Sequence, residues 1–151
     1  MNQGAETITI LVADDDKEDC QLLQDAFRES RIANRLIFVH DGEDLTDYLW
    51  HRGRHTDPDS APRPGLILLD LNMPRKDGRE ALAEIKADAS LRQIPVVVLT
   101  TSKAEEDIYR SYDLGVNSYI TKPVTFSALV DVVRAIGGYW LGIVELPGGG
   151  V

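Results

Sequence analysis

The chain has a single cysteine, Cys20, among its 151 residues. It can therefore hold no internal disulfide framework and no cysteine-rich metal centre. Basic residues are also few: 16 Lys and Arg face 25 Asp and Glu, leaving a formal charge of −9. Nucleic-acid affinity rests on cations meeting phosphate, so a nucleic acid is not an expected partner, whereas a cation is. No apolar run approaches the ~18 residues needed to cross a bilayer. The opening MNQGAE lacks the basic and apolar regions of a signal peptide, so no membrane is expected and the localisation is read as cytoplasmic. No internal repeat or long low-complexity tract is present either. What is present is 43% hydrophobic and 27% charged residues, the balance of an ordinary globular domain, at a length that supports one core.

Five short apolar runs punctuate the chain: Ile8 to Val12, Leu36 to Val39, Leu66 to Leu69, Val96 to Leu99 and Ser118 to Ile120. Most lack polar alternation and are rich in Val, Ile and Leu, as strands buried on both faces are. Between them apolar residues recur at helical spacing: Leu22, Leu23, Ala26 and Phe27; Leu45, Tyr48 and Leu49; Ala81, Leu82 and Ile85; Ile108 and Tyr112; and Phe126, Leu129, Val130, Val133 and Ile136. Ser102 with Glu105 predicts a capping box, Gly115 suits a helix exit, and Thr125 suits an N-cap. Five strand–helix alternations predict an α/β fold, a parallel sheet with helices on both faces. Two segments stand outside the pattern. His51 to Gly65 is long for a connection, and the closing YWLGIVELPGGGV is apolar beyond the last expected helix.

Sites in open parallel sheets form outside the carboxyl ends of the strands. The polar residues at those ends are Asp14, Asp15 and Asp16, then Asp70, then Thr100, Thr101 and Ser102, then Thr121 and Lys122. Asp16 is expected to cap a helix. Three clustered carboxylates repel by roughly 3 kcal/mol per pair at ~5 Å and an effective dielectric near 20, so Asp14, Asp15 and Asp70 call for a cation. All-oxygen donors suit Mg²⁺ better than zinc. A cation, a lysine and a hydroxyl around one carboxylate make a place where that carboxylate can take up a phosphoryl group.

ILVADDD, LILLDLNMPRKDG, VVVLTTS and NSYITKP resemble the successive signature segments of bacterial response regulator receiver domains, the CheY-like family, from about Ile8 to Ile136. The resemblance implies a flavodoxin-like (βα)5 doubly wound sheet of strand order 2-1-3-4-5, with a receiver over residues 7–136 and a C-terminal extension over 137–151. It implies that Asp70 is the phosphoacceptor and that Thr100 and Lys122 contact the phosphoryl oxygens. Mg²⁺ would be held by Asp14, Asp15, Asp70 and the backbone carbonyl of Asn72, with Asp15 binding directly and Asp14 mainly through water. Thr100 and Tyr119 would form the conformational switch, and the Lys122–Pro123 bond would be cis. Asn72 and Ser102 occupy positions that tune dephosphorylation. A narrower resemblance, carried by the loop before Pro64–Gly65, by LTTSKAEEDI and by YWLGIVELP, is to stand-alone regulators paired with phytochrome-type sensor histidine kinases.

A phosphoacceptor signalling protein rather than an enzyme in the ordinary sense is therefore expected. Its partner would be a sensor histidine kinase of bacteriophytochrome type, and its output would be protein–protein interaction, since the receiver leaves no room for a DNA-binding domain. Tyr139, Trp140, Leu141, Ile143, Val144 and Leu146 form an apolar arm expected either to pair two copies into a homodimer or to fold back on its own domain. Two alternatives remain. A degenerate receiver acting as a constitutive binding module is disfavoured by retention of Asp14, Asp15, Asp70, Thr100 and Lys122. An aspartate-nucleophile phosphohydrolase is disfavoured because Asn72 stands where a second acid is required. His51 and His55 are expected to be loop residues, and Arg52, Arg54 and Arg63 solvated surface.

Overall fold

Three of the apolar runs become strands whose every residue is buried: β1 (Ile10–Ala13), β3 (Leu66–Asp70) and β4 (Val96–Thr100). Two more, β2 (Leu36–Val39) and β5 (Ser118–Thr121), are mostly half-buried because they are the sheet edges. The computed structural model describes residues 8–73, 76, 78–112 and 114–138. Its five strands are all parallel in the order β2-β1-β3-β4-β5. Five helices alternate with them: α1 (Lys17–Glu29), α2 (Gly42–Trp50), α3 (Gly78–Ala87), α4 (Lys103–Ser111) and α5 (Phe126–Ile136). None is long and apolar enough to cross a membrane.

Successive strand side chains point to opposite faces, and this divides the core in two. Leu11, Ala13, Ile67, Leu69, Val96 and Val98 pack with Leu45, Tyr48 and Leu49 of α2 and Ala81, Leu82 and Ile85 of α3. Ile10, Val12, Leu66, Leu68, Val97 and Leu99 pack with Leu23, Ala26 and Phe27 of α1 and Val130, Val133 and Ile136 of α5. The caps are largely those expected. Asp16 accepts from the N–H groups of Glu18 and Asp19, and Thr125 accepts from Ala128.

Several expectations are corrected. The first strand starts two residues later and ends one residue later than the apolar run suggests, so Ala13 pairs with Val39 and Leu69. Ser102 accepts from the N–H of Glu105, but Glu105 reaches the N–H of Thr101 rather than that of Ser102, so the reciprocal half of the capping box is displaced by one residue. Ile108 and Tyr112 are exposed, and the buried residue of α4 is Glu106. Its carboxylate accepts from Lys103, Arg110 and Thr121, the pairing that a buried charge requires. Leu22 and Phe126 are exposed too; Leu22 sits at an apolar hollow between α1 and α5 that Leu129 and Val132 also line. No peptide bond is cis among the described residues, so Lys122–Pro123 is trans, the form X–Pro bonds favour by about 0.5–1 kcal/mol when nothing imposes the other.

The long connection after α2 is folded rather than loose. Arg54 makes a bidentate pair with Asp44 (2.6 and 3.2 Å), and the buried His55 meets the same carboxylate at 2.7 Å. His51 instead contacts the carbonyl of Ala61 at 2.8 Å, so the two histidines serve different anchors. Arg63 donates to the carbonyl and hydroxyl of Ser90, and Arg52 lies near Asp47 and over Trp50. The three arginines are occupied within the chain. Tyr139, Trp140, Leu141, Ile143, Val144 and Leu146 lie outside the described residues, as do Pro74 and Asp77.

Candidate functional site

The carboxyl ends of β1 and β3 are built alike. Asp14 accepts from the N–H of Asp16 through Oδ1 (2.9 Å), and Asp70 accepts from the N–H of Asn72 through Oδ1 (2.9 Å). These two turns close the strands and leave each Oδ2 facing the same point. Lys122, carried there from β5, fills it. Its ammonium lies 3.0 Å from Asp14 Oδ2, 3.0 Å from Asp70 Oδ2 and 3.1 Å from Asp19 Oδ2, which uses all three of its N–H donors. The backbone N–H of Lys122 donates to the carbonyl of Thr100 at 2.7 Å, tying the end of β5 to that of β4.

Burial decides the electrostatics. It pushes the Asp14 and Asp70 carboxyls above the usual carboxylate range, although the turn N–H groups and the Lys122 ammonium pull the other way. Burial also draws the lysine down, but the charges of Asp14 and Asp70 outweigh it and hold the ammonium above its ordinary value. One ammonium thus serves several carboxylates, and the edge keeps an excess of negative charge.

Oxygens of Asp14, Asp15 and Asp70 lie within 4.8 Å of one another, with Asp15 exposed and the other two buried. Hard oxygen donors of which one is open to water fit a hard divalent cation that retains part of its hydration shell. Among the described residues no other group of this kind exists. Asn72 belongs to the same turn by its bond to Asp70.

Thr100 is fully buried one strand away. Its hydroxyl is 3.4 Å from Thr121 Oγ1 and 3.5 Å from the carbonyl of Ile120, both long for O–H···O bonds. Little holds that hydroxyl where it is. Tyr119 is half-buried, donates to the carbonyl of Tyr109 at 3.3 Å, and lies under the Arg110 guanidinium at 4.7 Å. Ser102 serves α4 as its cap. The strand-end residues singled out from sequence, Asp14, Asp15, Asp70 and Lys122, therefore meet in one place, while Thr100 ends the adjoining strand against Thr121 and Tyr119 contacts Tyr109 and Arg110 of α4.

Four further residues belong to the site and were not singled out in these roles. Asp19 is the third partner of Lys122. Gly78 approaches so closely that a Cβ there would fall 2.6 Å from Leu71 Cα and 3.0 Å from the carbonyl oxygen of Asp70; the Asp-Gly pair at 77–78 was the available signal. Glu105 and Tyr109, both from α4, engage the side chain of Asn72, at 2.5 Å and 2.9 Å. Nothing in the sequence marks that pairing.

Residues 10–134 match the family model of the response regulator receiver domain. The response regulator Rcp1 of Synechocystis is 46% identical over 138 residues, covering 91% of this chain and 92% of that protein. The Mn²⁺-bound form of Rcp1 superimposes with a TM-score of 0.78 over 93% of this chain and 99% of that one. A phosphorylated cyanobacterial phytochrome response regulator, RcpA, is 46% identical with a TM-score of 0.81 over 94% and 99% of the two chains. RPA3017, a response regulator in red light signalling of R. palustris, is 37% identical with a TM-score of 0.82 over 89% and 94%.

Proposed function

The chain belongs to the response regulator receiver family, and we propose that it takes a phosphoryl group onto Asp70 from the phosphohistidine of a phytochrome-type sensor histidine kinase. An oxygen of Asp70 bonds to phosphorus as the N–P bond breaks, and the imidazole regains its electron pair and a proton. Asp14, Asp15, Asp70 and the carbonyl of Asn72 would hold a divalent cation, read here as Mg²⁺, which supplies positive charge to the phosphoryl oxygens when bound. Lys122 supplies a second positive charge from a position already against Asp70. That contact, an ammonium shared by Asp70 and Asp14 at the ends of neighbouring strands, is the observation that carries the reading. Such transfer rests on positioning and charge rather than on a covalent contribution from neighbours.

Thr100 then acts with Tyr119. A phosphoryl group on Asp70 offers the Thr100 hydroxyl stronger acceptors than its two long contacts, and the space it leaves draws in Tyr119. The result is a two-state shift of the face formed by α4, β5 and α5, driven by contacts made only in the phosphorylated state. The phytochrome pairing is supported by the likeness to RcpA and RPA3017. The receiver over 7–136 would act in the cytoplasm through protein partners, without nucleic acid or membrane, as a homodimer joined by the arm within 137–151. The test is phosphotransfer. An autophosphorylated phytochrome-type kinase should pass acid-labile phosphate to the chain and none to Asp70→Asn; label persisting on that variant overturns the assignment.

A further inference from the structure

Asn72 is held at both ends. Its backbone N–H closes the turn on Asp70 Oδ1. Its side-chain amide is held at both ends by a different element: one Nδ2–H donates to Glu105 Oε2 at 2.5 Å, and Oδ1 accepts from the Tyr109 hydroxyl at 2.9 Å. Glu105 is itself fixed, because its other oxygen accepts from the N–H of Thr101 at 2.9 Å and its own N–H caps on Ser102. The carboxamide two residues beyond the phosphoacceptor is thus clamped to α4 at both its donor and its acceptor.

An unclamped carboxamide beside an acyl phosphate could bind and orient water. In hydrolysis, water oxygen bonds to phosphorus, and the P–O bond to Asp70 breaks with its electron pair returning to the carboxylate. A proton of the water leaves with inorganic phosphate or to solvent. A group that orients the water accelerates this step; a carboxamide fixed on α4 through both Nδ2 and Oδ1 is not free to turn toward the attacking water. We propose that Glu105 and Tyr109 are positioning residues that hold the Asn72 carboxamide on α4 and so lengthen the life of the phosphorylated state. The inference rests on the phosphoacceptor role of Asp70. Both clamping bonds lie near the surface, where solvent competes, so each sets the lifetime modestly.

Decay of acid-labile phosphate after loading with acetyl phosphate and Mg²⁺ tests this. Glu105→Ala is expected to shorten the half-life about fivefold, equivalent to ~1 kcal/mol at 1.36 kcal/mol per decade, and Tyr109→Phe, which removes only a hydroxyl, to shorten it less. Glu105→Gln keeps an acceptor of the same reach and should recover most of the lifetime. In an Asn72→Ala background the Glu105→Ala change should have no further effect, which a merely structural role would not produce. An unaltered half-life in Glu105→Ala, or an alteration that persists without Asn72, overturns the inference. Failure of the unsubstituted chain to take up label at all overturns the underlying reading instead, and the inference with it.

Discussion

Asp70 carries a charge that its surroundings resist. Burial holds its carboxyl above the usual range, and the neighbouring acids share one ammonium. A carboxyl raised on folding binds its proton more tightly in the folded chain than in the unfolded one. Its contribution to stability therefore falls as pH rises from about 3.9, the unfolded value, through the raised folded value. Asparagine at this position imitates the protonated form. In chelator at pH 7, Asp70→Asn is expected to be more stable than the unsubstituted chain by on the order of 1–3 kcal/mol, the scale of one close carboxylate repulsion. The advantage should shrink toward pH 4 in urea melts, and equal stabilities at both pH values would contradict the account. The convergence of Asp14, Asp15, Asp70 and Lys122 was legible because strand ends are readable and the sheet's parallel topology gathers them. Asp19 was not, because the run of acids from Asp14 to Asp19 does not say which one turns inward. Cys20, buried on α1, shows the converse: burial pushes its thiol up to about 12, away from the reactive thiolate.

Elements differ in how openly they declare themselves. The helices packed across the sheet, α2 and α3, bury the apolar stripes that their spacing predicts. Helix α4 does not: its buried residue is Glu106, while Ile108 and the C-cap Tyr112, which its spacing marks as the stripe, are exposed. A hydrophobic pattern cannot register a carboxylate made tolerable by Lys103, Arg110 and Thr121, since those partners are set by tertiary contact. The start of α3 is the element on which Asp70 depends most. Gly78 donates to the carbonyl of Leu71 at 3.2 Å and has no room for a side chain against the backbone of Asp70 and Leu71. Backbone atoms cannot yield as a flexible side chain can. Gly78→Ala is expected to cost about 1–3 kcal/mol in urea unfolding, the usual range for overpacking, and to slow uptake of phosphate by displacing the carboxylate. Unchanged stability would show that the close approach is not needed.

At the scale of the whole molecule, alternation of strands and helices was enough to read a parallel α/β sheet, while the order 2-1-3-4-5 came with the family resemblance and matches the structure. The folded connection from His51 to Gly65 was less legible, because its order comes from polar contacts that a hydrophobic pattern does not register: the Asp44 carboxylate, the connection's own Ala61 carbonyl and Ser90. The arm bearing Tyr139, Trp140, Leu141, Ile143, Val144 and Leu146 is proposed to join two copies of the chain. Truncation after Gly138 is expected to convert a dimer to a monomer in light scattering, and an unchanged mass would reject the arm as the dimer contact. The central claim is that Asp70 is the residue that receives phosphate. The most direct measurement is mass spectrometry of the intact chain and its peptides after incubation with acetyl phosphate, with Mg²⁺ or with chelator. The account predicts one acid-labile phosphoryl group per chain, on the peptide containing Asp70, dependent on the cation and absent from Asp70→Asn. Phosphate on any other residue, or uptake unaffected by the Asp70→Asn substitution, would contradict it.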